Sequence, residues 1–100
     1  MEILNTSNGQ KLNVPFNAWA LAKISGTELV EFHLDSGESI PEHTNPVNVV
    51  FYILKGVGIL SLEEESFELQ EGDSYAVKKD LQREWKNTGK SALQVLVIKS

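Results

Sequence analysis

The alternation of apolar and polar residues is the feature that most restricts the fold of this chain. Between residues 28 and 35, the apolar side chains of Val30, Phe32 and Leu34 alternate with polar ones. A period of two residues is typical of a β-strand with one buried face. Further alternating or β-branched segments occur at residues 66–70, 74–77 and 91–98. Because turn signals that contain glycine separate these segments, the pattern predicts an all-β fold, an antiparallel sandwich or barrel.

Residues 80–86 are the only candidate for a helix. They carry one apolar pair at helical spacing, Leu81 and Trp85, but so short a segment does not form a stable helix. We therefore expect a strand or a turn there.

The length of 100 residues corresponds to one domain with one hydrophobic core. Residues 1–100 are therefore expected to form a single domain, with a barrel over about residues 17–99. The preceding residues, about 1–16, are rich in Asn, Gln, Ser and Lys. We expect them to form an arm that is loosely ordered or lies across another strand.

Residues 49–54 are apolar at every position, so both faces of this strand need to be covered. The interior of a barrel covers only alternate residues, beginning with Val49. The others, Val50, Tyr52 and Leu54, need a partner subunit or the N-terminal arm to cover them. We therefore expect a homodimer.

Charge and composition argue against several partners and cofactors. Fourteen acidic and nine basic residues give a net charge of −5, which argues against binding to nucleic acid or to an anionic membrane by charge alone. The absence of cysteine excludes disulfides, thiolate metal sites and thiol nucleophiles. The N-terminal residues do not resemble a secretion signal, and no apolar segment is long enough to cross a bilayer. We therefore expect a cytoplasmic protein.

Two sets of residues have the spacing of a known family. They are Gly37, His43, Asn45, Val49 and Gly56, followed by Gly72, Lys78, Asp80, Arg83 and Asn87. Each interval matches the two sequence motifs of cupins, and the chain resembles a small single-domain cupin of the RmlC-like type over about residues 28–98. The resemblance implies a cupin-type antiparallel jelly-roll β-barrel, also called a double-stranded β-helix, with a pocket at its wider end. It also implies a homodimer.

The metal-binding positions of the family are altered in this chain. Where the family carries His, His, Glu and His, this sequence carries His43, Asn45, Val49 and Arg83. Valine has no donor atom, a guanidinium stays protonated and has no free lone pair, and asparagine is a neutral oxygen donor suited to hard cations. We therefore expect no metal site and no other cofactor.

The resemblance then implies a pocket whose metal chemistry has been replaced. We expect its walls to be formed by His43, Asn45, Val49, Phe51, Tyr75, Arg83 and Trp85. The leading hypothesis is a metal-free module that binds a small organic anion, with Arg83 holding its carboxylate or phosphate. The alternative for Arg83 is an internal salt bridge, or stacking on Trp85.

Two further functions stay open. The chain could be a cupin enzyme, either an isomerase or dioxygenase with unusual metal ligands or an acid–base catalyst that uses His43. It could also be an interaction protein with a vestigial pocket, because the fold alone does not decide between these functions. His33 alternates with Phe32 and Leu34 and so lies on the outer face, where we expect no catalytic role.

Overall fold

Ten β-strands form the regular structure of residues 2–100, the part of the chain that the computed structural model describes. Met1, the first residue of the predicted arm, lies outside that part. The strands are β1 (Gln10–Lys11), β2 (Asn17–Ile24), β3 (Thr27–Leu34), β4 (Ser39–His43), β5 (Val49–Lys55), β6 (Val57–Ser61), β7 (Ser66–Gln70), β8 (Ser74–Val77), β9 (Arg83–Lys86) and β10 (Leu93–Lys99). These residues include no helix, and so none that could cross a membrane. The all-β prediction is confirmed.

The strands are hydrogen-bonded into two antiparallel sheets. The first has the order β1-β2-β3-β10-β5-β8 and the second the order β4-β9-β6-β7. The two sheets have the predicted jelly-roll arrangement, but they do not close into a barrel, because hydrogen bonding between strands stays within each sheet. The chain passes from one sheet to the other through turns rather than through continuous strands, and the sheets pack face to face.

The alternation that predicts the strands also predicts their buried faces. In β3, Val30, Phe32 and Leu34 are all buried, as expected. Residues 80–86, the only helix candidate in the sequence, contain a turn followed by strand β9, as expected. The indole ring of Trp85, in β9, is buried between the two sheets.

Strand β5 has one buried and one exposed face. Val49, Phe51 and Ile53 are buried, whereas Val50 is 36% and Tyr52 39% exposed. The expected direction is therefore confirmed for these five side chains, and Leu54, at an irregularity in the pairing with β10, is half-buried.

The N-terminal arm lies along the edge of the first sheet that is formed by β2. Strand β1 pairs antiparallel with β2, and the Leu12 amide donates a hydrogen bond of 2.8 Å to the carbonyl of Ala18. Beyond β1, Leu12 and Phe16 pack against the core. Of the two expectations for the arm, the structure shows the one in which it lies along another strand. It does not run along β5, so the arm is not what covers Val50 and Tyr52.

Asn87 joins three parts of the chain at the end of the molecule beyond β9. It is 2% exposed, and its side-chain amide donates to the carbonyls of Leu34 and Ser91, each at 2.9 Å. Its Oδ1 accepts a hydrogen bond of 3.0 Å from the amide of Gly89. Its backbone exchanges hydrogen bonds with Gly37 and Glu38 at the start of β4. One buried side chain therefore fixes the ends of β3 and β9 and the turn that leads into β10.

Candidate ligand-binding site

A cavity of about 190 Å³ lies between the two sheets and the N-terminal arm. Its apolar walls come from Leu12, Val14 and Phe16 of the arm, Ala18 of β2, Val30 and Phe32 of β3, Ile40 of β4, Phe51 of β5, Trp85 of β9 and Val97 of β10. An apolar cavity of about 150 Å³ is large enough to hold benzene. This cavity therefore has room for a molecule with one ring.

Aromatic rings form the floor of the cavity. The centroid of Trp85 lies 5.8 Å from that of Phe32 and 5.2 Å from that of Phe51, and both pairs meet edge to face. Phe16 of the arm continues the row, 6.0 Å from Phe32. Rings that pack edge to face stabilise one another's orientation and form a rigid surface. The floor therefore offers flat apolar contact to a bound molecule.

The indole nitrogen of Trp85 has no hydrogen-bond partner among residues 2–100, although it is buried. Leaving a buried N–H donor without an acceptor is unfavourable by about 1–3 kcal/mol. The nitrogen itself exposes almost no surface, so the N–H is enclosed by the packing around the ring.

Three polar residues complete the lining: His43, Asn45 and Lys99. His43 is exposed and the other two are half-buried, so they lie on the solvent side of the aromatic floor. The Nδ1 atom of His43 lies 3.0 Å from the carbonyl oxygen of Pro41. Because a carbonyl only accepts, this contact places the proton on Nδ1 and leaves Nε2 as an acceptor in the neutral ring.

Four of the residues expected at the pocket meet around the cavity, namely His43, Asn45, Phe51 and Trp85. Val49 and Tyr75 are not among its lining residues. Val49 is 1% exposed and packs as part of the core. Tyr75 is one strand further out, opposite Phe51 in register, and its ring packs against Phe67 with the centroids 4.7 Å apart.

Arg83 is also absent from the cavity lining, although its side chain is fully buried. Its Nε donates to the carbonyl of Leu81 at 3.0 Å and its Nη2 to that of Lys78 at 3.3 Å. Its Nη1 has no partner, and the guanidinium forms no ion pair with the described residues. Burial lowers the pKa of Arg83. The guanidinium therefore binds two backbone carbonyls instead of the carboxylate that we expected. These bonds stabilise the turn before β9.

That turn is in contact with the cavity through Asn45. The amide of Asp80, which has a φ angle of 67°, donates to the carbonyl of Asn45 at 2.7 Å. The amide of Lys79 donates to the side chain of Asn48 at 2.9 Å. Arg83 therefore acts on the cavity indirectly, by supporting the turn that positions Asn45.

Lys99 and the cavity wall formed by the arm were not predicted from the sequence. Lys99 has the same parity on β10 as the buried residues Val95 and Val97. On a strand, this parity places Lys99 on the inner face. The alternation of β10 therefore contained enough information to predict the position of Lys99.

The residues at the family's metal positions do not fit a metal ion here. Val49 is buried in the core, and Asn45 is neutral. Arg83 pairs with His43 across the strands and carries a buried guanidinium. A fixed positive charge on the strand beside His43 repels a dication. Among residues 2–100, no group of three or more His, Cys, Asp or Glu side chains could hold one.

An all-β fold of two face-to-face antiparallel sheets with a cavity between them defines the chain as a jelly-roll domain. The family model described as the cupin domain matches residues 30–99, and the chain belongs to the cupin family. No curated protein sequence matches the chain significantly.

Several solved structures share this fold. An RmlC-like cupin from Shewanella frigidimarina superposes with a TM-score of 0.86 at 14% identity, over 100% of this chain and 90% of that one. KdgF from Halomonas sp. gives a TM-score of 0.83 at 15% identity, over 99% and 93% of the two chains. The polyketide cyclase RemF from Streptomyces resistomycificus gives 0.84 at 16% identity, over 99% and 78%. At these identities the likeness concerns the fold alone.

Proposed function

We propose that this cupin domain binds a small organic molecule in the cavity between its sheets, without a metal ion. The observation that carries the proposal is the combination of a rigid aromatic floor with polar groups confined to one side. Ligand sites are typically apolar clefts with a few polar groups that fix orientation.

The donor set supports binding without a metal. Among residues 2–100, His43 is the only histidine that lines the cavity, and no carboxylate lines it. Asn45 offers one neutral oxygen, which is a weak donor for transition metals. The polar groups present are suited to hydrogen bonding with a ligand rather than to coordination.

Compounds with one ring are expected to stabilise the protein against heat in the presence of EDTA. A ligand at about ten times its Kd adds about 1.4 kcal/mol and raises the Tm of a domain of this size by about 6–11 °C. The measurement is thermal unfolding with benzoate, benzamide, cyclohexanecarboxylate and cyclohexanecarboxamide as probes.

Val97→Phe places a ring in the cavity from β10 and is expected to abolish the shift, provided its far-ultraviolet spectrum shows a folded protein. Tyr75→Phe, outside the cavity, is the matched control and should keep the shift. The proposal fails if none of the four probes raises the Tm of the wild type, or if a shift appears only when metal is added.

We also propose that the chain forms a homodimer through the outer face of β5 and β10. Leu96 pairs with Tyr52 and Ile98 with Val50, so these four apolar side chains share one outward face. The arm lies at the β2 edge instead. A second copy can cover this face on both chains at once, as two-fold symmetry requires.

Tyr52→Glu is expected to convert the dimer to a monomer, because it places a charge at the centre of an apolar contact. Ile24→Glu is the control, since Ile24 is 75% exposed and lies at the far end of β2. Analytical ultracentrifugation measures both. A wild-type mass near 11.1 kDa at micromolar concentration would contradict the dimer.

A further inference from the structure

Lys99 is a cation on the inner face of β10 without a carboxylate partner. Lys99 lines the cavity. Among residues 2–100, the ion pairs join His33 to Glu31 and Lys86 to Glu84, and none involves Lys99. In a chain with fourteen acidic residues, an unpaired ammonium beside an apolar cavity is a charge that a ligand can neutralise.

The carboxylate nearest to Lys99 in register is that of Glu28. The two residues are opposite one another on β10 and β3, but no ion pair forms between them. Glu28 is also opposite Lys23 of β2. Glu28 does not line the cavity, and the described residues that do line it include no carboxylate.

The groups near Lys99 distinguish between classes of anion. His43 and Asn45 add hydrogen-bonding groups on the same side of the cavity, and the other lining residues are apolar. Arg83, the guanidinium that could have formed paired bonds to a phosphate, is directed to backbone carbonyls. One lysine balances the single charge of a carboxylate, whereas a phosphate carries more charge and needs more donors.

We propose that Lys99 binds the carboxylate of a small monocarboxylic acid whose flat apolar body lies on the Phe32, Phe51 and Trp85 rings. This inference rests on the proposed function and names its ligand class. The ammonium attracts the carboxylate, and Asn45 and His43 orient it. The ring fills a volume that admits about one six-membered ring.

Isothermal titration of wild type and variants with benzoate, benzamide and inorganic phosphate tests the proposal. Wild type is expected to bind benzoate at least about tenfold more tightly than benzamide. Lys99→Met should remove this preference, because it weakens the binding of benzoate far more than that of benzamide. Lys99→Arg should keep most of the preference, and Lys90→Met, a change at an exposed loop lysine, should have no effect.

The variant Glu28→Gln distinguishes two roles for Lys99: binding the carboxylate of a ligand, or balancing the charge of Glu28. If Lys99 serves only to balance Glu28, this variant should bind benzoate more tightly while Lys99→Met leaves the preference intact, and that result overturns the proposal. Equal affinity for benzoate and benzamide, or tighter binding of phosphate, also overturns it. If neither benzoate nor benzamide binds and neither cyclohexane probe raises the Tm, the proposed function itself has failed, whereas binding of benzoate and benzamide without a preference leaves that function standing.

Discussion

Trp85→Ala is expected to lower the free energy of unfolding by about 3–5 kcal/mol, as removal of a buried tryptophan does in other cores. The indole is 1% exposed and touches the rings of Phe32 and Phe51, so its loss separates the two sheets at their centre. A domain of this size has a total stability of about 5–15 kcal/mol. Chemical denaturation followed by circular dichroism measures the loss.

Trp19→Ala is the matched control for this substitution. Trp19 is half-buried on the outer face of β2, with its ring centroid 4.7 Å from that of His33. Because its ring borders solvent, we expect a loss of about 1–2 kcal/mol. Equal losses for the two tryptophans would show that Trp85 is not the centre of the packing between the sheets.

Asn87→Ala is expected to lower the free energy of unfolding by about 2–4 kcal/mol. The alanine leaves the carbonyls of Leu34 and Ser91 and the amide of Gly89 without their side-chain partner. Each buried polar group without a partner costs about 1–3 kcal/mol, and water can reach some of them. Equilibrium denaturation in urea is the measurement.

Asn13→Ala provides the comparison, since Asn13 is exposed in the arm and has no side-chain hydrogen bond to the described residues. Its effect should stay within about 0.5 kcal/mol. Similar small effects at both positions would mean that the Asn87 hydrogen bonds do not hold the strand ends together.

The strands and their buried faces were predictable because they follow from local alternation. Val30, Phe32 and Leu34 show the pattern in β3, and Val49 and the residues two and four positions after it show it in β5. Alternation specifies which side of a strand is buried wherever one face meets the core. It does not specify whether the sheet edges join, and for that reason it does not show that the predicted barrel consists of two sheets with separate edges.

The candidate site was only half predictable because its positions depend on tertiary packing. Family spacing locates His43 and Asn45, which line the cavity. The same spacing places Arg83 at a pocket position, but the carbonyls of Lys78 and Leu81 bind its guanidinium outside the cavity. Such contacts depend on the path of the turn before β9, which has no simple signal in the sequence. Lys99 was predictable in principle from the parity of β10, since its neighbours two and four positions earlier are buried.

The most direct test of binding in the cavity is the nuclear magnetic resonance signal of the Trp85 indole N–H. The chain has two tryptophans, so a ¹H–¹⁵N spectrum contains two indole signals. The signal of Trp85 reports on a ring that lines the cavity, and that of Trp19 reports on a ring on the outer face. Trp19→Phe assigns the two signals. On titration with benzoate, the account expects the Trp85 signal to shift saturably while that of Trp19 stays in place, and the account is contradicted if the Trp85 signal does not move or if only that of Trp19 does.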